Sequence, residues 1–134
     1  MTPEEFQYGV RRTEAPFYST NDVSLSAYRR LVHAALGLAD ESGEFAKQVK
    51  STIFYGEPLD RVNAIEEIGD VLWYAALALE ALGSSLEEAM MANARKLEAR
   101  YPGRFTSKMA LDRDLQSERE VIEDEIDRLN GEAE

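Results

Sequence analysis

One stretch of this sequence is apolar around most of a helical circumference, which limits the chain to folds that cover a helix on several sides. Pro58 suits the first turn of this helix, and Gly83 just after Leu82 is a C-terminal stop. A helix that is hydrophobic nearly all round packs against more than one neighbour. The apolar residues are Val62, Ala64, Ile65, Ile68, Val71, Leu72, Trp73, Ala75, Ala76, Leu77, Ala78 and Leu79.

Four other segments carry helical patterns, and none resembles a strand pair with a hairpin turn. The first opens with a capping box of Thr2 and Glu5, and Ser84 and Ser85 each stand three residues before a glutamate. A loop is predicted over Glu14–Asp22, where Pro16 interrupts the helical pattern. We therefore predict an all-α fold, an antiparallel helix bundle with short connections. The four further predicted helices cover residues 2–13, 24–54, 85–101 and 111–130.

The last of these segments is amphipathic, with a strongly acidic exterior. Leu115, Ile122, Ile126 and Leu129 share one face of it. This C-terminal helix is one candidate to cover the apolar third helix within a single chain. The alternative, which we favour, is a homo-oligomer with the third helix near the interface.

Composition restricts the function. The formal net charge of −11 disfavours binding to nucleic acid polymers, whose phosphates an acidic chain repels. The absence of cysteine excludes disulfides and thiolate metal sites and fits a reducing cytoplasm. The first ten residues lack the apolar core of a secretory signal, and the longest apolar stretch, Val71–Leu79, is too short to span a bilayer. We expect a cytoplasmic protein without a membrane partner.

Two helices carry carboxylates in polar stripes that lack nearby basic residues. Glu67 and Asp70 have no Lys or Arg three or four residues away, and Glu44 alone has Lys47 close by. If the helices are antiparallel neighbours, Glu41, Glu44, Glu67 and Asp70 converge. Burying such carboxylates unpaired costs several kcal/mol apiece. The stripes are His33, Gly37, Glu41, Glu44 and Gln48 on the second helix, and Asn63, Glu67, Asp70 and Tyr74 on the third.

Three kinds of compensation are open to these carboxylates. They can share protons, pair with Lys or Arg from elsewhere in the chain, or bind a hard divalent cation, for which Mg²⁺ is the usual choice beside phosphates. A plain solvated acidic face is the simpler alternative. A di-iron site is disfavoured, because His33 is the single histidine and forms no Glu-x-x-His pair.

A basic stripe on the fourth helix has the chemistry to bind phosphates. Asn93, Lys96 and Arg100 lie at spacings of three and four, and Arg104 extends the series. Lys and Arg bind polyphosphates directly, Arg in forked geometry. A set of surface ion pairs explains the same residues equally well.

Taken together, these motifs resemble the MazG-like family of all-alpha nucleoside triphosphate pyrophosphohydrolases. The resemblance runs roughly from Glu4 to Phe105 and centres on the segments HAALGLADESGE (33–44), EEIGDVLWY (66–74) and NARKLEARYP (93–102). It implies a family domain over residues 1–106, followed by a C-terminal acidic helical extension over 107–134. Many relatives open the first motif with two glutamates, and here Asp40 stands in the first of these positions.

The resemblance also implies site residues. The magnesium ligands would be Glu41, Glu44, Glu67 and Asp70, with Mn²⁺ as a substitute metal. Tyr74, Asn93, Lys96 and Arg100 would contact the triphosphate.

The implied reaction is hydrolysis of a (deoxy)nucleoside triphosphate between the α- and β-phosphates, giving a monophosphate and pyrophosphate. Glu41 or Asp40 would take the proton from the attacking water. A homodimer or homotetramer is expected. A non-catalytic helical interaction protein, a dUTP or dCTP diphosphatase and a phosphoribosyl-ATP pyrophosphohydrolase are the alternatives.

Four aromatic residues flank the matched motifs. Phe17, Tyr18, Phe54 and Tyr55 are each suited to stack on a base or to pack in the core, and we favour the core for each.

Overall fold

The computed structural model describes residues 2–13 and 24–131, and within these ranges the chain forms six helices and no strand. The prediction of an all-α fold is confirmed. The predicted loop over Glu14–Asp22, with Phe17 and Tyr18, lies outside the described residues. The helices are α1 Pro3–Thr13, α2 Leu25–Tyr55, α3 Arg61–Ala81, α4 Leu86–Arg100, α5 Ser107–Leu111 and α6 Leu115–Gly131.

Local capping sets the ends of α2. The Ser24 hydroxyl accepts a hydrogen bond from the backbone N–H of Ala27 (3.1 Å), which satisfies one of the free donors of the first turn. At the other end Gly56 adopts a left-handed conformation (φ 72°), and its N–H donates to the carbonyl of Ser51. A residue with a Cβ is disfavoured at this φ, so the glycine stops the helix here.

The third helix starts later than the sequence predicts. Asp60, rather than Pro58, marks its N-terminus, because the Asp60 carboxylate accepts from the backbone N–H groups of Val62 (3.0 Å) and Asn63 (3.2 Å). The predicted end is confirmed: α3 stops at Ala81, and Gly83 (φ 74°) turns the chain towards α4.

The helices associate mainly as two pairs, with α2 along α3 and α4 along α6, while α3 and α4 share a smaller contact. Within the first pair, Gly37 lies against Tyr74 and Gln48 against Asn63, so α2 and α3 run antiparallel. The buried apolar residues among the described ones are small, namely Ala34, Ala64 and Ala92. These small residues let the helix backbones approach closely, but no large side chain in the described ranges is fully buried.

The C-terminal segment differs from its prediction in two ways. Thr106 caps a separate short helix, α5, by accepting from the N–H of Met109 (3.2 Å), so the long final helix begins only at Leu115. In addition, α6 packs mainly on α4. Val62 and Ile65 of α3 accordingly remain 78% and 65% exposed, so the idea that the C-terminal helix covers α3 is wrong for this part of the chain.

No helix among the described residues combines the length and the apolar character that crossing a bilayer requires.

Candidate functional site

Antiparallel packing of α2 on α3 brings together three of the four predicted carboxylates. Glu41, Glu67 and Asp70 each offer one oxygen, and these oxygens all lie within 4.8 Å of one another. Glu41 and Glu67 are half-buried, whereas Asp70 is exposed. We call these three residues the carboxylate cluster. It joins Glu41 of α2 to two residues of α3 that lie 26 and 29 positions further along the chain, so it depends on the helix pairing rather than on one helix alone.

Glu44 lies outside the carboxylate cluster. Its carboxylate pairs instead with the Nζ of Lys47 at 3.3 Å, one turn further along α2. This ion pair is exposed, and exposed pairs of this kind contribute about 0–1 kcal/mol. The pair therefore holds Glu44 away from the cluster only weakly.

The carboxylate cluster has no cationic partner among the residues that the structure describes: none of the ion pairs there includes Glu41, Glu67 or Asp70. Desolvation raises the pKa of Glu41 above its ordinary value, and repulsion from Asp70, Asp40 and Glu67 raises it further. Three convergent carboxylates with all-oxygen donor atoms match the ligand preference of a hard divalent cation. The residues present thus fit the implied metal.

Two amide side chains accompany the cluster, and the sequence analysis predicts no role for them. The Nδ2 group of Asn63 donates to Oε1 of Glu67 at 2.5 Å, and the Nε2 group of Gln48 donates to Oδ1 of Asn63. Gln48 belongs to the polar stripe of α2 and Asn63 to that of α3. Membership of these stripes was the only sign in the sequence that the two residues lie near the carboxylates. Their pairing depends on the register between the helices, which the sequence alone does not give.

An open groove of about 590 Å³ is lined by residues that neighbour the cluster along the helices, namely Asp40, which precedes Glu41, and Tyr74, one turn after Asp70. The ring of Tyr74 lies directly over Gly37. It also meets the rings of His33 and Trp73 edge-on, with centroid distances of 5.5 and 4.9 Å. Tyr74 and Asp40, both predicted from the sequence, therefore share this groove. The lining residues are His33, Leu36, Gly37, Ala39, Asp40 and Tyr74.

Asn93 and Lys96 line a different cavity, of about 520 Å³, which lies between α4 and α6 and reaches the end of α3. The walls of this cavity are largely apolar and include Leu79, Ile122 and Ile126. The structure therefore does not bring Lys96 into the groove that Asp40 and Tyr74 line.

Arg100 is engaged with the C-terminal helix. Its guanidinium donates to both carboxylate oxygens of Glu118, with Nε–Oε1 at 2.7 Å and Nη2–Oε2 at 2.5 Å, and Arg113 also donates to Glu118. The hydrogen bonds from Arg100 and then Arg113 lower the pKa of Glu118 to about 2. For Arg100, the structure thus contains the ion pair that the sequence left as the alternative to phosphate binding.

The flanking aromatics Phe54 and Tyr55 do not pack in the core. They are 74% and 65% exposed at the C-terminal end of α2. The favoured core interpretation is wrong for these two residues, because α2 extends past the start of α3 and leaves its last turn uncovered.

Comparison with known protein families shows what the chain is similar to. The model of the MazG nucleotide pyrophosphohydrolase domain matches residues 32–105, a segment that contains the carboxylate cluster, the groove and the basic residues of α4. No curated protein and no solved structure matches the chain.

Proposed function

The chain belongs to the MazG nucleotide pyrophosphohydrolase family, and on that premise we propose that it hydrolyses (deoxy)nucleoside triphosphates between the α- and β-phosphates, with Mg²⁺ as its metal. The products are a nucleoside monophosphate and pyrophosphate. The observation that carries this proposal is the carboxylate cluster, whose three acids converge between two helices without a cationic partner in the described chain.

In this proposal Glu41, Glu67 and Asp70 hold the metal, and Glu44 joins them when its exposed pair with Lys47 opens. When bound, Mg²⁺ or its substitute Mn²⁺ supplies the positive charge that attracts a polyanion to an acidic protein and lowers the pKa of a water molecule. The protein itself supplies the convergent oxygen ligands.

We assign the general base to Glu41, with Asp40 as the alternative. The base removes the proton of the water that attacks the α-phosphorus. The support for Glu41 is its place in the carboxylate cluster, where it is half-buried beside Glu67 and Asp70 and offers a carboxylate oxygen as a proton acceptor. Asp40 lines the adjoining groove, so it is also near the reacting phosphate in this proposal.

Four further residues are our candidates for contacts with the substrate. Tyr74 lines the groove beside the carboxylates and offers a ring face and a hydroxyl to the nucleotide. Lys96 and Asn93 would contact the triphosphate from α4, and to do so the substrate must reach from the groove of Tyr74 to the separate cavity that these two residues line. Arg100 is the weakest candidate, because binding phosphate would require it to leave Glu118.

Replacing Glu67 by Gln tests the proposal. Glu67→Gln keeps the shape of the side chain but removes a negative metal ligand, so we expect metal-dependent turnover to fall at least about 100-fold, the scale on which metal-stabilised steps contribute. The assay measures monophosphate and pyrophosphate released from a panel of canonical and modified triphosphates with Mg²⁺.

The matched control is Glu80→Gln on the same helix, where the carboxylate pairs with Arg30 far from the cluster. It should retain wild-type turnover. Circular dichroism should show the same helical content in both variants. Near-normal activity of Glu67→Gln would contradict the metal assignment, and a wild-type protein that releases no pyrophosphate from any nucleotide would favour a non-catalytic interaction protein.

Lys96→Ala tests the phosphate contact separately. Removing a charge-assisted hydrogen bond of about 1.5–3 kcal/mol should raise KM for the triphosphate by roughly 10- to 100-fold. Metal binding without nucleotide should stay unchanged. An unaltered KM would remove Lys96 from the substrate site.

We also propose that the protein assembles as a homodimer or homotetramer. The support is an exposed apolar stripe on α3, formed by Val62, Ile65 and Leu72 at spacings of three and seven. A patch of this kind on an otherwise acidic protein is unusual for a monomer. A second copy of the same helix offers a matching surface.

A further inference from the structure

The amide chain from Gln48 through Asn63 to Glu67 has one chemically consistent direction. An ionised carboxylate only accepts hydrogen bonds, so Asn63 must present its NH₂ group to Glu67. Its carbonyl oxygen then faces Gln48, which must present its own NH₂ group. Each amide thus has its orientation imposed by the charge at the end of the chain.

The fold holds Asn63, the middle member of the amide chain, in place, and it half-buries Gln48 at one end. Asn63 lies in the first turn of α3, where its backbone N–H is held by the capping carboxylate of Asp60 at 3.2 Å. Gln48 projects from the neighbouring helix and is half-buried, and its Oε1 is buried without a hydrogen-bond partner in the described chain. An unsatisfied buried acceptor is destabilising, so the arrangement is not explained by stability alone.

The neutral amide of Asn63 restrains Glu67 without cancelling its charge, which a cationic donor would do. Lys or Arg at position 63 would bind Glu67 more strongly, but it would also neutralise the charge that a metal ion needs. An amide restrains the carboxylate and leaves its negative charge intact. Hydrogen bonds from such outer residues orient metal ligands, and their loss typically weakens metal binding about 10- to 100-fold.

We propose that Gln48 and Asn63 are positioning residues that hold Glu67 facing Glu41 and Asp70, so that the three oxygens converge before the metal binds. Asn63 acts on Glu67 directly, and Gln48 acts only through Asn63. Neither side chain is a metal ligand or a substrate contact. This inference rests on the proposed metal site.

The test is the affinity of the purified full chain for Mn²⁺ without nucleotide, measured by electron paramagnetic resonance of the free ion. Asn63→Leu removes the donor at similar volume and should weaken Mn²⁺ binding about 10- to 100-fold. Gln48→Met should weaken it several-fold. In the double variant, Gln48→Met should add nothing to the loss, because its only route to Glu67 is gone.

A matched control separates positioning from general damage. The Asn130 amide also donates to a glutamate, Glu88, but at the α4–α6 pair, so Asn130→Leu should bind Mn²⁺ like the wild type. Thermal unfolding in EDTA should show that Asn63→Leu is folded. If Asn63→Leu is not folded, the Mn²⁺ affinity of Gln48→Met tests the positioning role instead.

Three outcomes would overturn the inference: wild-type Mn²⁺ affinity in a folded Asn63→Leu, wild-type affinity in Gln48→Met, or losses that add in the double variant. Failure of the proposed function looks different. In that case the wild-type protein itself would bind no Mn²⁺.

Discussion

A single glycine determines where the aromatic wall of the groove can lie. Gly37 is buried on α2, and the ring of Tyr74 occupies the space that a Cβ at position 37 would take. Tyr74 stands one turn after Asp70 on the same stripe of α3. The absence of a side chain at 37 therefore fixes both the close approach of the helices and the position of a proposed substrate contact.

Gly37→Ala should destabilise the protein and weaken nucleotide binding together. Adding a methyl group to a filled site costs about 1–3 kcal/mol, although alanine is the better helix former. We expect a lower urea midpoint, measured by circular dichroism, and a higher KM as Tyr74 moves.

Gly43→Ala is the control for this substitution. Gly43 lies on the same helix, and a Cβ there meets no atom within 4 Å. Its replacement should stabilise the protein by up to about 1 kcal/mol. Equal effects at positions 37 and 43 would contradict the role assigned to the Tyr74 contact.

Helical spacing was enough to predict the convergence of Glu41, Glu67 and Asp70, because each helix presents its stripe on one side and a short connection makes α2 and α3 antiparallel. The position of Glu44 could not be predicted in this way, since its side chain has a competing partner in Lys47. The link between Gln48 and Asn63 was also hidden, because a hydrogen bond across two helices needs their register to within one residue.

At the level of elements, the sequence predicted helix ends better than helix faces. Ser24, Ser85 and Gly83 stop or start helices as expected, because capping is local chemistry. The acidic exterior predicted for the C-terminal helix is wrong at Glu118 and Glu125, which are both only 6% exposed. Arg100 of α4 and Arg113 pair with Glu118, and Arg128 of α6 itself and Arg95 of α4 pair with Glu125. A pattern that treats every acid as solvent-facing misses such pairs.

The ion pairs of Arg100 and Arg113 with Glu118 hold α6 against α4, and we call them the arginine clamp. The arginine clamp should weaken in acid. The folded-state pKa of Glu118 is lowered from 4.5 to about 2 by Arg100 and Arg113. The folded state therefore binds a proton at Glu118 less readily than the unfolded chain does. The contribution of Glu118 to the free energy of unfolding is complete above about pH 4.5 and is lost as the pH falls towards 2.

Glu118→Gln should lower the thermal midpoint at pH 7 and flatten its decline between about pH 4.5 and 2. Calorimetry across this range measures both effects. Glu123→Gln, which removes an exposed partner of Arg119 on the same helix, should change little. A Glu118→Gln variant with the wild-type pH profile would show that the clamp does not contribute to stability.

For the whole molecule, the exposed apolar stripe of α3 is the surface that a single chain does not cover. Ile65→Asp places a charge in the middle of this stripe. Burying an isoleucine contributes about 1.5–3 kcal/mol, and a buried unpaired carboxylate costs several more. We expect sedimentation to show a shift from an oligomer to the mass of one chain, 15.1 kDa.

Leu111→Asp is the comparison, because Leu111 is a more exposed apolar residue on α5, away from the stripe. It should leave the assembly intact. A wild-type protein that sediments as one chain would refute the oligomer.

The division of the helices into two pairs has a consequence for how this protein tolerates change. The carboxylate cluster belongs to one pair and the arginine clamp to the other. Substitutions at sites that share no partners usually combine independently, so the free-energy effects of changing Gly37 and Glu118 should sum in the double variant. Substitutions in α6 can therefore accumulate without disturbing the carboxylate cluster, provided that they keep the shape of the cavity that Lys96 lines.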